Sequence, residues 1–588
     1  MTESAAVLLH DGRIVAAAEE ERFTRVKHDG GFPYHAIQFA LDAAGISLAD
    51  VDHVAVYWDP YKLGHRARYM TETLVRNPAL FAEKARRAVT IWRGSPEATD
   101  SGWSTLFRTR RKLEERFGAP PKRIHFLDHH ECHMASCFFT SPFLDAAILV
   151  MDGAGEAACT TWGRGRGMAV EKIDEHRLPH SLGHFYAAVT GYLGFKMLDG
   201  EYKLMGLSPY GDPSAARWIR QHFLRSAGEG RYGLENRVLD YHRALRGQFD
   251  GPFADHFGPP RERSETAPFD DRHRDIAASV QRAFEETVLD MAAELRRRTG
   301  IRHLAVAGGC GLNCTANGKI LLSGIFDDIY VPPVPHDAGG ALGAALLLHV
   351  RLTGRRPPPM FDAQLGPAYD RAAIAAALDR RSDVVAERLD EDALLGRTAQ
   401  TLADGGVIAW MQGAMEYGPR ALGNRSFLAD PRSDGVRDSI NEKIKKRELF
   451  RPFAPSVKAE KASEYFEIAQ PSPFMTIIVP VRDEKRSAIP AVTHVDGTAR
   501  PQTVDRDVTP RYWRLLDRFE ALTGVPVLLN TSFNIQEPIV CSADDALATF
   551  ARSGVDALVL GDWWVTRRDG RERAEPPVRR DAPIADHA

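Results

Sequence analysis

The chain has 588 residues, 44% of them hydrophobic and 26% charged, with a formal net charge of -3. That length exceeds one ordinary domain, and the near-neutral balance carries neither the basic footprint of a nucleic-acid binder nor an acidic tail. Six cysteines in so long a chain make no disulfide framework, no apolar run reaches the ~18 residues of a membrane span, and the opening MTESAAVLLHDGR lacks a signal peptide's basic stretch and cleavage site, so a large cytoplasmic enzyme is expected.

The first buried-strand pattern is HVAVYW at 53–58. Residues 61–117 are Arg-rich with scattered aromatics and read as helical, with no function attached. The segment LDHHECHMASCFF at 127–139 then sets His129 and His133 four residues apart. On a helix that spacing puts both imidazoles on one face, as two helical ligands of one metal require. For an isolated pair, two satisfied helix histidines would be the simpler reading, but two carboxylates are candidates to complete the set. Asp152 follows the strand pattern AAILVM at 146–151, and Asp337 opens an apolar Gly/Ala helix in VPPVPHDAGGALGAAL. An Asp at a strand end before a Gly turn is where α/β sites place catalytic carboxylates, although alone it is as well read as a turn-former or N-cap. Two His and a carboxylate with open positions suit Fe(II) or Zn acting as a Lewis acid. Cys310 with Cys314 and Cys132 with Cys137 lack the Cys-x2-Cys spacing of a rival zinc site.

Residues 279–299 read as a helix with Val280, Phe284, Val288, Met291 and Leu295 on one stripe, leading into the strand pattern HLAVA at 303–307. Strand, Gly turn and helix in alternation predict α/β layers. The turns DGAG at 152–155 and GGCG at 308–311 follow strands, and Gly339-Gly340 opens a helix. Glycine lets a backbone approach a phosphate and present its N–H groups. None of the three is a Walker loop or a G-x-G-x-x-G motif, and each alone is a tight turn. Together they suggest a nucleotide cleft between two lobes, as in actin and the sugar kinases. Gly354, Pro357–Pro359 and Gly366-Pro367 mark 351–367 as a domain boundary. Beyond it, GVIAWMQ at 406–412 and VPVLL at 525–529 are further buried strands, and the chain from 567 reads as a solvated tail. No repeat of roughly 20–50 residues is present.

Ten segments then take on a family character: AEEERFTRVKH (18–28), DHHECHMAS (128–136), MDGAGE (151–156), GEYKLMGLSPYG (200–211), GGCGLNCTANGKI (308–320), PHDAGGALGAA (335–345), GAMEYGPRALGNRS (413–426), KKRELFRPFAPS (445–456), HVDGTARPQ (494–502) and LNTSFNIQEPIV (529–540). In order and content the chain resembles the NodU/CmcH O-carbamoyltransferases over nearly its whole length. The resemblance implies an α/β protein with an actin-like (ASKHA, TsaD-like) two-lobed N-terminal domain over 1–355, carrying carbamoyl transfer and the metal. It implies an α/β YrdC-like domain over 366–570 that forms carbamoyl-adenylate, with a disordered tail over 571–588. ATP, with Mg, and carbamoyl phosphate would be the co-substrates. The acceptor would be a hydroxyl of a small metabolite, a sugar hydroxyl of an antibiotic or other natural product. Neither nucleic acid nor membrane is an expected partner, and a monomer or homodimer is expected.

By match to the family's motifs, Lys445, Arg451, Arg500, Asn530 and Ser532 belong to the carbamoyl-adenylate site, joined by Arg420, and Lys445 and Arg451 are also read as catalytic. The chemistry agrees, since carbamoyl phosphate and ATP are polyanions and Arg forks bind phosphates in pairs. The metal set would be His129, His133, Asp152 and Asp337, with His130 as acid or base. Gly153, Gly309, Asn313 and Asn317 would hold the adenylate in the cleft. Glu201 and Lys203 are further cleft candidates, with a surface ion pair as their simpler reading. Family members begin with an apolar strand and a G-x-x-x-x-H-D-A-S-A-like turn before the counterpart of residues 5–9. Here Met1 falls almost on that turn, so one strand of the first lobe is expected upstream or absent. A kinase of the same fold, a tRNA threonylcarbamoylation protein, and a metal- and nucleotide-binding regulatory protein without turnover are the alternatives. The segments KKRELFRPFAP and TARPQ argue against a kinase, and the missing basic patch argues against tRNA.

Overall fold

The computed structural model describes residues 3–62, 103–244, 247–263 and 268–568, with a few single positions between 63 and 102. Most of the helical reading of 61–117 lies outside the described residues, although Trp103–Leu106 and Thr109–Phe117 are helices. The tail expected over 571–588 lies wholly outside them. The fold is mixed α/β, in two compact units, Met1–Met360 and Phe361–Ala588. Among the described residues no helix is long and apolar enough to cross a membrane.

In the first unit, β1 (Ala5–His10) and β2 (Arg13–Glu19) form an antiparallel pair. The strand at 53–58 is short, Val54–Val56, and runs parallel to Ile124–Phe126. Next come α1 (His129–Thr140), β3 (Asp145–Met151), β4 (Ala158–Arg166), β5 (Ala169–Arg177), α2 (Asp271–Thr299), β6 (His303–Ala307), β7 (Asp328–Tyr330) and α3 (Asp337–Thr353). The five-stranded sheet has the order β7-β6-β3-β4-β5, parallel across its first three strands and antiparallel thereafter. The run Ala146–Met151 is wholly buried, which is why β3 reads as a continuous apolar stretch rather than an alternating one. Helix α2 starts at Asp271 rather than 279, because Asp270 caps it: its carboxylate accepts from His273 N at 2.9 Å while His273 Nδ1 accepts from Asp270 N at 3.3 Å. The apolar stripe locates the buried face but not the polar first turns ahead of it.

Helices α1 and α3 lie in close contact, and Gly343 makes that possible. A Cβ there would overlap the Cys132 carbonyl on α1. The two backbones therefore approach as only a glycine permits, which carries the first turn of α3 toward the first turns of α1.

The second unit contains β8 (Val384–Arg388), β9 (Ile408–Met411), β10 (Arg425–Ala429), β11 (Ala454–Lys458), β12 (Gln502–Val504), β13 (Val527–Ser532), β14 (Ala557–Leu560) and β15 (Trp563–Arg567). They form one eight-stranded sheet in the order β8-β15-β14-β9-β10-β13-β11-β12. Strand β13 extends past its apolar run into Asn530-Thr531-Ser532 because β10 continues to pair with it through Ser532. The register sets Asn530 opposite Leu428 and Ala454, Ser532 opposite Ser426, and Ser456 opposite Leu528 and beside Gln502. Side chains alternate along a strand, so Ser426, Ser456, Gln502, Asn530 and Ser532 share one face.

Candidate functional site

Helix α1 begins at Asp128, whose side chain caps it by accepting from Glu131 N at 2.9 Å and is held by Lys172 Nζ at 2.7 Å and by Lys62. The helix presents His129 and His133 inward, both fully buried. Their Nε2 atoms are 3.1 Å apart. His129 Nε2 also lies 3.3 Å from Asp152 Oδ2, at the end of β3, and 3.5 Å from Asp337 Oδ1, at the start of α3. One ligand atom from each of the four residues falls within 4.8 Å of every other. Ligands bound at about 2.0–2.2 Å to a first-row ion stand roughly 3.0–3.5 Å from one another, so the set fits a single metal ion.

The surroundings fix these groups. His129 Nδ1 donates to the Tyr57 carbonyl at 3.2 Å, which commits Nε2 to the centre, and Trp58 packs on the ring at 4.2 Å between centroids. Asp152 gives Oδ2 to the centre while Oδ1 accepts from Gly309 N at 2.8 Å. Glu156 accepts from His129 N at 3.2 Å and from Asp59 N at 2.8 Å, tying the start of α1 to the segment that carries Tyr57. A Cβ at Gly155 would stand 2.8 Å from the His130 ring, so the DGAG turn needs a glycine there to close on the histidines. Burial opposes a charge on His129, but hydrogen bonds to Asp152 and Asp337 hold its pKa up at about 10. Burial and the charge on His129 push His130 down to about 3 and His133 to about 4. Burial works against ionisation of Asp152, yet His129 and its neighbours keep that carboxyl well below the usual carboxylate range. A cation bound at this centre would displace the proton that its carboxylate partners hold on His129.

His130 turns away from the four, with Nδ1 2.7 Å from Thr161 Oγ1 and Nε2 lacking a hydrogen-bond partner among the described residues. Gly153 lies against His184, and its carbonyl accepts from Ser181 Oγ at 2.6 Å. The Gly309 amide is directed at Asp152, a use that reading it as a phosphate cradle does not include. Asn313 caps the next helix through Ala316 N at 3.0 Å and pairs its amide with Gln281 in both directions at 3.0 Å. Asn317 donates to the Gly311 carbonyl at 2.8 Å. Glu201 accepts from Leu198 N at 2.7 Å, and burial raises its pKa to about 7. Lys203 Nζ stands 5.7 Å from the centre of the Phe195 ring. A second polar chain runs nearby, with His28 between Glu3 and Asp199 at 2.8 Å on each side, and Glu3 also bonded to His336. Burial disfavours the charge on His28, but the bonds to Asp199 and Glu3 hold it up at about 10.

In the second unit the structure brings Lys445, Ser532 and Asn530 to one region. Lys445 ends a π-helical turn, Ile440–Lys445, and is 2% exposed. Such turns interrupt the regular ladder and recur at functional positions. Its ammonium donates to Ser532 Oγ at 3.3 Å, to the Asn534 carbonyl at 2.8 Å and Oδ1 at 2.9 Å, and to the Ser532 carbonyl. Asn530 precedes Ser532 by two residues on β13 and so faces the same way. Arg451 is half-buried, 3.6 Å from Glu448, and Arg420 and Arg500 are half-buried as well. Arg425, which lies in the GAMEYGPRALGNRS segment with Arg420, has a structural role. It is fully buried, and its guanidinium donates to the carbonyls of Gln412 at 2.7 Å, Asn424 at 3.0 Å and Pro367 at 3.0 Å, bracing loops. The partners Tyr57, Asp59, Glu156 and Thr161 carry no signal in the sequence beyond the glutamate of MDGAGE, because they act through backbone atoms or from distant segments.

A family model described as carbamoyltransferase N-terminus matches residues 1–346, and one described as carbamoyltransferase C-terminus matches 399–567. The chain is 40% identical to nodulation protein NolNO of Sinorhizobium fredii over 97% of its own length and 79% of that protein's. It is 38% identical to the 3'-hydroxymethylcephem-O-carbamoyltransferase of Amycolatopsis lactamdurans, over 45% of this chain and 49% of that one. An uncharacterised Synechocystis protein is 41% identical over 97% of this chain and 96% of its own. A domain match over more than half the chain, a second over most of the remainder, and near full-length relatives at this identity place the chain in the carbamoyltransferase family, as a transferase of carbamoyl groups.

Proposed function

We propose that the protein is an ATP-dependent O-carbamoyltransferase that works in two stages. In the C-terminal YrdC-like domain, over 366–570, ATP and carbamoyl phosphate yield carbamoyl-adenylate. The atoms balance with one water consumed and both pyrophosphate and phosphate released. A carbamate oxygen bonds to the α-phosphorus of ATP as the bond to pyrophosphate breaks. In the N-terminal actin-like, TsaD-like domain, over 1–355, an acceptor hydroxyl bonds to the carbamoyl carbon and AMP leaves. A hydroxyl on an antibiotic or other natural product is the acceptor class, in keeping with the cephem named for one relative.

The observation that supports this reading most directly is the buried polar face of β13. There a buried lysine ammonium donates to the Ser532 hydroxyl, and Asn530 stands two residues away on the same face of the strand, a set suited to a small, polar, anionic group. Lys445, Arg451, Arg500 and Arg420 would bind the phosphates, and Ser532 would orient them. In the other unit, Gly153, Gly309, Asn313 and Asn317 would line the adenylate's place. His130 would take the proton of the acceptor hydroxyl on Nε2 while Thr161 holds the ring by Nδ1. His129, His133, Asp152 and Asp337 would hold Fe(II) or Zn, which when bound supplies Lewis-acid polarisation.

Incubation with carbamoyl phosphate and α-labelled ATP tests the reading. AMP and pyrophosphate that depend on carbamoyl phosphate are expected. ADP would point to a kinase, and no turnover to a binding protein; either result overturns the proposal.

A further inference from the structure

The side chain of Asn530 is buried and fixed in one orientation by its neighbours. Its Nδ2 donates to Ser456 Oγ at 3.0 Å, Gln502 Oε1 at 3.1 Å and the Ala421 carbonyl at 3.2 Å. Its Oδ1 is buried and has no hydrogen-bond partner among the described residues. The reverse orientation would set a carbonyl oxygen against the Ala421 carbonyl, an obligate acceptor. Gln502 is fixed in the same way, since its Nε2 donates to the Leu422 carbonyl at 2.7 Å and so leaves Oε1 toward Asn530. Ser456 closes the triangle by donating to Gln502 Oε1 at 2.7 Å. Orientation passes from the Leu422 carbonyl through Gln502 to Asn530, and ends on one acceptor atom without a donor.

A buried amide oxygen left bare costs about 1–3 kcal/mol, so the arrangement calls for a ligand that brings an N–H. We propose that Gln502 and Ser456 are positioning residues whose task is to hold Asn530 with its oxygen toward the carbamoyl amide, so that the site selects carbamoyl phosphate over acyl phosphates with a methyl in place of the NH2. This rests on the reading that the second unit activates carbamoyl phosphate. A carbamoyl N–H satisfies Asn530 Oδ1; the methyl of acetyl phosphate, similar in size, leaves it bare. Sites built to hydrogen-bond a substrate group reject the analogue lacking it far more strongly than shape alone allows, by as much as about 10⁴-fold.

The test compares kcat/KM for AMP formation from ATP with carbamoyl phosphate and with acetyl phosphate, in the full-length protein, its Gln502→Met variant and its Ser456→Ala variant. The wild type should favour carbamoyl phosphate by about 10²-fold or more. Gln502→Met should bring that ratio to within about tenfold, mostly by lowering kcat/KM for carbamoyl phosphate, and Ser456→Ala should lower it by a smaller factor. A structural weakening would lower both rates together and leave the ratio intact, which would overturn the inference. Should Gln502→Met fail to fold, the ratio in Ser456→Ala decides alone, and an unchanged ratio there is equally fatal. A wild type that forms no AMP with carbamoyl phosphate would overturn the functional reading itself. A working wild type with unchanged ratios in the variants would overturn only the positioning role.

Discussion

The Nε2 atoms of His129 and His133 face each other at 3.1 Å across one turn of α1, with Asp152 Oδ2 3.3 Å from the first of them. Two fully buried imidazoles with converging ring nitrogens are held together by a shared proton or a shared cation, and the added carboxylates favour the cation. Protein stripped with a chelator should therefore take up one equivalent of Fe(II) or Zn per chain. His133→Ala should weaken that uptake by more than about 100-fold. Metal content after dialysis against the ion measures it. The same variant should still form AMP from ATP and carbamoyl phosphate. Undiminished metal in the variant would mean that the four side chains do not hold it.

The geometry of this centre was only partly legible in the sequence, for physical reasons. That His129 and His133 share a helix face follows from a spacing of four, and the strand before Asp152 from its unbroken apolar run. The groups that orient them were not legible. The Tyr57 carbonyl and the Gly309 amide are backbone atoms that any residue would supply, and Glu156 reaches His129 through the fold rather than through a periodic pattern. In the second unit, the basic character of 445–456 was visible, but not that Arg425 spends its charge on loop carbonyls. Gln502 was visible as the last letter of TARPQ, while its grip on Asn530 depends on the register of β11, β12 and β13. The start of α2 was misplaced because a cap is a local hydrogen-bond exchange that hydrophobic periodicity does not report.

Gly343 should prove as important to the metal centre as a ligand's neighbour, although it touches none of the four side chains' ligand atoms. Gly343→Ala sets a methyl group into the Cys132 carbonyl on α1 and forces α1 and α3 apart. Overpacking of this kind costs about 1–3 kcal/mol. Because Asp337 stands on α3 and both histidines on α1, the same shift should weaken metal binding. A lower melting temperature together with reduced Fe(II) or Zn affinity is the expected pair of results. A fall in melting temperature with unchanged affinity would show that the helix contact serves stability alone.

Lys445 donates to oxygens of Ser532 and Asn534 from a position 2% exposed. A buried ammonium at an anion site contributes most where negative charge develops, and its loss there is expected to cost about 10²–10³-fold in rate. Lys445→Ala should lower carbamoyl-phosphate-dependent AMP formation by that factor while metal content stays at the wild-type level. Lys445→Arg should not restore it, because a planar guanidinium cannot occupy the volume of a compact ammonium among four oxygens. Parallel measurement of AMP release and bound metal checks both. A Lys445→Ala variant that releases AMP at the wild-type rate would remove this lysine from the activation step.

His28 links Glu3 to Asp199, with 2.8 Å to each carboxylate, and its pKa is held at about 10 against an ordinary value of 6.5. Below pH 6.5 folded and unfolded chains both carry the proton, and the stabilisation from the ion pairs is complete. Above it the unfolded chain releases the proton while the folded state retains it, so stability falls as pH rises, by up to about 1.4 kcal/mol per unit for this group, until the folded state also titrates. Burial works against ionisation of Glu3 and Asp199, but the neighbouring His28 holds both well below the usual carboxylate range, His336 adding to the effect on Glu3 and Lys196 to that on Asp199. Their contribution therefore has the opposite sense: it is present above the ordinary carboxylate pKa and is lost as pH falls into the acid range. His28→Gln removes the charge and can keep one of the two hydrogen bonds, through its amide nitrogen. The variant should be less stable than the wild type near neutral pH, and the difference should shrink steadily as pH rises toward 10. Urea unfolding midpoints of the two proteins at several pH values measure that difference. A gap that stays constant across the window would mean that the proton on His28 contributes nothing to the fold.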